Sequence, residues 1–208
     1  MEKIAVDAMG GDFAPLEIVL GSIQAVREFK IPVVLVGDKE QILTILKNNH
    51  EENNPLIEIH HASEVIEMGE HPGLAYRKKK DASVSVGARL VRAKECGALV
   101  APGSTGAAVT AGLLGIGRIK GIERPAILTP IPNEKGRYTY LIDSGASAQP
   151  KVETYVQNAI LGYIYASKVA GIKNPRIGLL NIGEEDTKGS PLVTEANKVL
   201  QNQSIIPF

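Results

Sequence analysis

Apolar and polar positions along this chain alternate between two periods. Short runs of β-branched and aliphatic residues predict strands at 3–8, 32–36, 56–60, 98–101, 126–130, 138–142 and 176–181. The runs at 3–8, 98–101 and 176–181 are almost continuously apolar, as in parallel strands covered by helices on both faces. Between the runs, apolar residues recur at helical spacing. Leu16, Val19, Leu20, Ile23 and Val26 form one stripe. Val152, Tyr155, Val156, Ala159, Ile160 and Tyr163 form a second, and Leu192, Val193, Ala196, Val199 and Leu200 a third. Asp38 and Asp81 stand where N-caps are wanted, and Gly97 and Gly171 where helices should stop.

Strands alternating with helices in this way predict an α/β fold with a mostly parallel sheet. The runs at 126–130 and 138–142 flank the turn Pro132-Asn133-Glu134-Lys135-Gly136 and predict one antiparallel hairpin. No repeat, low-complexity tract or linker breaks the pattern, so a single α/β domain over 1–208 is expected. Ile205-Ile206-Pro207-Phe208 reads as the start of another strand, and hence as a chain that continues.

Composition narrows the function classes. At 208 residues, 44% hydrophobic, the chain can bury one sizeable core. Lys+Arg and Asp+Glu both number 23, and aromatics are 4% without Trp, which argues against a general nucleic-acid binder or a base-stacking surface. The single Cys96 excludes an internal disulfide, suits a reducing cytoplasm and reads as a small buried residue near a helix end. Met1-Glu2-Lys3 runs straight into a strand without a signal peptide, and no apolar run reaches the about 18 residues of a membrane span. His50, His60, His61 and His71 lack metal-ligand spacing, so no metal or other cofactor is expected. No G-x-S-x-G elbow supports a serine hydrolase.

The chemistry is carried by loops at strand ends. Ile4-Ala5-Val6-Asp7 runs into Ala8-Met9-Gly10-Gly11-Asp12, and Ala14-Pro15 opens a helix. Glycines let a backbone approach a ligand, and the N–H groups of a helix N-terminus favour an anion. Neither G-x-G-x-x-G nor the P-loop spacing is present. A second loop, Ala101-Pro102-Gly103-Ser104-Thr105-Gly106, precedes a small-residue helix at 107–114. A third is Asp143-Ser144-Gly145-Ala146-Ser147, and a fourth runs from Asn181 through Gly183, Glu184, Glu185, Asp186, Thr187 and Lys188 to Gly189. Ligands of open α/β sheets bind beyond the carboxyl ends of the strands, so four such loops on one rim suit an anionic substrate and a polarised carbonyl. The basic run Arg77-Lys78-Lys79-Lys80 is either a solvated helix end or a dock for an acidic protein or anionic substrate.

Several of these blocks together resemble the PlsX family, the bacterial phosphate acyltransferases of phospholipid synthesis. They are Val6-Asp7-Ala8-Met9-Gly10-Gly11-Asp12 with Ala14-Pro15, then Pro72, Ala75, Arg77 and Lys79-Lys80-Asp81. They continue with Ser104-Thr105-Gly106-Ala107, with Gly121-Ile122-Glu123-Arg124-Pro125-Ala126, and with 175–185 followed by Lys188-Gly189. The resemblance implies a three-layer α/β/α sandwich akin to isopropylmalate dehydrogenases and phosphotransacetylases. It implies transfer of a fatty acyl group from acyl carrier protein to inorganic phosphate, giving acyl phosphate. It implies a longer chain, of which these residues are the N-terminal two thirds. It further implies a cytoplasmic homodimer with loose membrane contact in some bacteria. The chain departs from the family pattern at Phe13, where a histidine is common, and at Ser147 and Gln149, where an amide and a carboxylate stand.

On that chemistry, Ser104, Thr105 and Gly106 with the helix after them are expected to hold phosphate or the carbonyl oxygen, and Lys188 to neutralise phosphate charge. Asp7 and Asp12 would orient the loop of Gly10 and Gly11 or bond a protonated phosphate oxygen, with Gly103, Asp143 and Gly145 completing the wall. Arg77, Lys78, Lys79 and Lys80 would dock the carrier. Local roles compete: Asp7 can cap nearby amides, and Lys188 can pair with Glu184, Glu185 or Asp186. Two other functions stay open, a short-chain phosphate acyltransferase using coenzyme A or another thiol carrier, and a non-catalytic anion-binding protein.

Overall fold

The computed structural model describes residues 2–147, 149–183, 185 and 188–208. The chain forms two compact units, residues 1–119 and 120–208.

In the first unit, β1 (Ile4–Asp7), β2 (Val33–Gly37), β3 (Ile57–His61) and β4 (Ala98–Val100) form a parallel sheet of order β3-β2-β1-β4. The helices are α1 (Leu16–Phe29), α2 (Lys39–Asn48), α3 (Pro72–Lys78), α4 (Ser83–Arg92) and α5 (Thr105–Thr110), which runs into a π-helical stretch at Ala111–Ile116. Successive strand residues face opposite sides of a sheet. Val6 and Leu35 therefore meet Val19, Ile23 and Val26 of α1 and Ile42 and Leu46 of α2. Ala5, Val34 and Val36 meet Val86 and Leu90 of α4 and the buried Cys96. Each fully buried leucine or isoleucine stabilises this arrangement by about 1.5–3 kcal/mol. The result is the three-layer α/β/α arrangement expected from the sequence. α2 begins as predicted, with the Asp38 carboxylate accepting from the Gln41 N–H at 2.9 Å.

Three local expectations differ. Asp81 does not cap α4, whose N-cap is Ala82. Its carboxylate accepts instead from the Ser63 N–H and hydroxyl, at 2.8 and 2.6 Å, and these bonds hold its pKa below the usual carboxylate value. α4 stops before Gly97, because Lys94 takes the left-handed turn at φ 63°. β4 is an edge strand with Val100 48% exposed, so its apolar run is not covered on both faces.

In the second unit, β5 (Leu128–Pro132) and β6 (Tyr138–Ile142) make the predicted antiparallel hairpin, pairing Leu128 with Ile142. The Asn133 N–H donates to the Arg137 carbonyl at 2.9 Å across the turn. α6 (Val152–Lys168) and α7 (Pro191–Asn202) pack through Ala159 and Leu200, with Ile206 beside them. Residues 176–181, expected as a strand, form no ladder with any described residue. Ile177 and Leu179 pack on this core, whereas Leu180 is 79% exposed. A continuous apolar run does not by itself make a strand, which also requires a paired neighbour. Among the described residues no helix is long and apolar enough to cross a membrane.

Candidate active site

The strand order reverses beside β1. From β1 the chain steps outward to β2 and β3, then returns to lay β4 on the other side of β1. Such a reversal parts the loops at the carboxyl ends of the two central strands and opens a crevice between them. The loops here are those of Gly10-Gly11 and Gly103-Ser104. A Cβ placed on Gly11, whose φ is 109°, would lie 3.3 Å from the Pro102 carbonyl oxygen. A side chain on Gly10 would strike the Asp7 carboxylate, 2.6 Å from Oδ2. The two loops thus meet main chain to main chain.

Asp7 closes the floor of this crevice. It is only 4% exposed, and its Oδ1 accepts from the Met9 N–H at 3.2 Å. Burial pushes its carboxyl above the ordinary value, while the Ser83 hydroxyl and the Met9 and Gly10 amides pull it partly back. Asp12 is exposed at the rim. On the other loop, Ser104 caps α5, its Oγ accepting from the Ala107 N–H at 3.4 Å. The hydroxyl keeps its own proton to donate. Thr105 is exposed at the first helical position, where N–H groups lack intrahelical acceptors. Gly106 follows against Pro72 of α3, where a Cβ would lie 2.5 Å from the proline ring. The inventory suits an oxyanion: backbone amides, two hydroxyls and a buried carboxyl that can accept a ligand proton.

Asp143, Gly145 and Lys188 belong to the second unit, on two separate loops. Asp143 accepts through Oδ1 from the Ile127 and Ala146 N–H groups, at 2.9 and 3.0 Å, and through Oδ2 from Ser147 at 2.8 Å. Its carboxylate is engaged in shaping the loop that carries Gly145 at φ 113°. The fourth loop is tied by Asn181. Its amide donates to the Lys188 carbonyl at 2.8 Å, and its Oδ1 accepts from the Ile182 N–H at 2.9 Å. The loop borders a cavity of about 570 Å³ lined by Asn181, Gly183, Glu185, Lys188 and, from α7, Thr194. Lys188 Nζ stands 4.0 Å from the Glu185 carboxylate, both side chains more than half exposed. Glu184, Asp186 and Thr187 lie outside the described residues, as does Ala148 of the third loop.

The basic run is not uniform. Lys79 Nζ donates to the Glu70 carboxylate at 2.5 Å and to the Val65 carbonyl at 2.6 Å. It ties the approach to α3 rather than facing solvent. Arg77, Lys78 and Lys80 are exposed, and Arg89 reaches back to the Lys80 carbonyl at 2.6 Å, adding a further cation. His71 caps α3 through Nδ1, and His61 accepts from the Lys39 N–H at 3.3 Å. Ser83 belongs to no motif. Its only trace in the sequence is a serine pair, Ser83 and Ser85, within the otherwise apolar stretch Ala82–Ala88 at the start of α4.

The family model described as fatty acid synthesis protein matches residues 2–208. Among similar curated proteins, the phosphate acyltransferase of Pelotomaculum thermopropionicum is 49% identical over 203 residues, covering 98% of this chain and 58% of that protein. The phosphate acyltransferase of Desulfitobacterium hafniense strain Y51 is 50% identical, covering 97% of this chain and 59% of the relative. That of Aquifex aeolicus is 48% identical with the same coverage. The chain spans about three fifths of the length of these relatives.

Proposed function

Because this chain belongs to the fatty acid synthesis protein family, we propose that it carries the phosphate-handling part of a phosphate acyltransferase. The reaction moves a fatty acyl group from acyl carrier protein to inorganic phosphate, for phospholipid synthesis. A phosphate oxygen attacks the thioester carbonyl, the carbon–sulfur bond breaks, and the products are acyl phosphate and the free carrier thiol. Thiolate is a good leaving group, so positioning and charge stabilisation can supply most of the rate without a covalent enzyme intermediate. The supporting observation is the contact of Gly10 and Gly103 at the reversal in strand order, with Asp7 beneath and Ser104 alongside. In this reading Ser104, Thr105 and the Gly106 amide hold phosphate or the carbonyl oxygen, and Asp7 accepts the proton that phosphate carries. Gly11 and Asp12 shape the rim. In the second unit, Lys188 of the 181–189 loop neutralises phosphate charge, and Asp143 shapes the loop that carries Gly145. Arg77, Lys78 and Lys80 attract the acidic carrier. The longer protein is a cytoplasmic homodimer that touches the membrane peripherally.

The test is thiol release from palmitoyl acyl carrier protein, with and without phosphate, with hydroxylamine trapping of the product. It is run on this chain and on a version extended to the relatives' length. Phosphate-dependent release with trapped acyl phosphate is expected. Release only from coenzyme A thioesters of short acids would replace the donor. Phosphate binding without release from either chain would leave an anion-binding protein.

A further inference from the structure

The first turn of α4 holds a serine whose hydroxyl has no settled partner. Ser83 is 1% exposed, and its Oγ closes no hydrogen bond of ordinary geometry with a described residue. An unpaired buried hydroxyl costs a fold stability, so its retention asks for a reason. Its surroundings supply one. Ser83 is the first residue of α4, ten residues long, and the N-cap before it, Ala82, offers no side-chain acceptor. α4 packs on β1, and the Ser83 hydroxyl faces the Asp7 carboxyl at the end of that strand. The remaining donors to Asp7 are main-chain amides of Met9 and Gly10, fixed by the turn of the glycine loop. Ser83 is therefore the adjustable donor at this carboxyl. Among the described residues no charged side chain competes for it. β2 and β4 carry none, and the glycine loops bring only the exposed Asp12. The arginines of α4, Arg89 and Arg92, lie in its last turn.

We propose that Ser83 is a positioning residue for Asp7: its hydroxyl donates to one carboxylate oxygen when phosphate seats in the glycine crevice, leaving the other oxygen to accept the phosphate's proton. The inference rests on the proposed role of Asp7. Ser83 keeps its own proton throughout and touches no reacting atom. Without it the carboxylate loses its adjustable donor, binds a proton more readily and rotates freely.

The experiment compares Ser83→Ala, Asp7→Asn and the double variant in the form of the protein that shows turnover. Ser83→Ala is expected to lower kcat about tenfold with KM for the carrier thioester unchanged. The acid limb of its pH profile should move to higher pH, since loss of a donor raises the carboxylate's proton affinity. Added to Asp7→Asn, Ser83→Ala should do nothing further, because the two act through one group. Its melting temperature should hold or rise, as an unpaired buried hydroxyl has been removed, and this separates positioning from folding. If Asp7→Asn is inactive while Ser83→Ala matches the parent in rate and pH profile, or if the two losses simply add, Ser83 has no such role. If Asp7→Asn keeps full rate, the reading of Asp7 fails and takes this inference with it. Should neither form turn over, the same cycle is read on calorimetric binding of inorganic phosphate, with the same pattern expected and the same results overturning it.

Discussion

Gly10 and Gly103, in the loops that follow β1 and β4, leave no room for a side chain on either. A Cβ on Gly10 would stand 3.1 Å from the Gly103 Cα, and one on Gly103 would stand 3.0 Å from the Gly10 Cα. Both obstacles are main chain, which cannot swing aside as a long side chain can. Gly103→Ala should therefore destabilise the first unit by about 1–3 kcal/mol and lower phosphate-dependent thiol release at least tenfold. Denaturant unfolding and the release assay read the two effects. Gly21→Ala is the control. Gly21 lies inside α1 with open space where its Cβ would go, and alanine there should stabilise by about 0.5–1 kcal/mol.

Asp7 predicts a pH dependence of stability. Burial raises its folded pKa above the unfolded value of 3.8, so folding favours the protonated form. Its contribution is fully present below the unfolded pKa and is lost as pH rises through the folded one. Asp7→Asn should then be more stable than the parent at neutral pH, with the gap closing in acid. Thermal melts from pH 3 to pH 8 (about, spanning the shift described for buried carboxylates) check this. A gap that widens in acid would reverse the assignment.

The basic run separates by role. Lys79→Ala should cost about 1–2 kcal/mol, since it removes hydrogen bonds to the Glu70 carboxylate and the Val65 carbonyl. It should leave KM for the carrier thioester unchanged. Charge reversal at Arg77 and Lys78 should instead raise that KM about tenfold at low salt and less at high salt, with little change in melting temperature.

Asn181 offers a test of the fourth loop. Asn181→Ala removes the bonds to Ile182 and Lys188, which lie at the surface and hold the loop locally rather than the core. KM for phosphate should rise about tenfold while the unfolding midpoint barely moves, because the loop lies at the surface. Steady-state kinetics at varied phosphate gives the answer, and an unchanged KM would remove this loop from the phosphate site.

Much was legible in the chain itself. The strands β1, β2 and β3, the stripes of α1, α6 and α7, the hairpin and the Asp38 cap all follow from local rules: side-chain period, turn residues and a carboxylate ahead of a helix. Gly10, Gly11, Gly103 and Ser104 were legible as loop residues at strand ends for the same reason. Tertiary structure decided the rest. Pairing partners determined that β4 is an edge strand and that 176–181, though almost continuously apolar, forms no ladder with any described residue. Proximity across the fold turned Asp81 toward Ser63, drew Lys79 to Glu70 and set the Ser83 hydroxyl facing Asp7. The strand order that brings Gly10 against Gly103 is equally invisible to periodicity. Period reports which face of an element is buried, whereas which element covers that face, and which polar group meets another there, depends on the path of the whole chain.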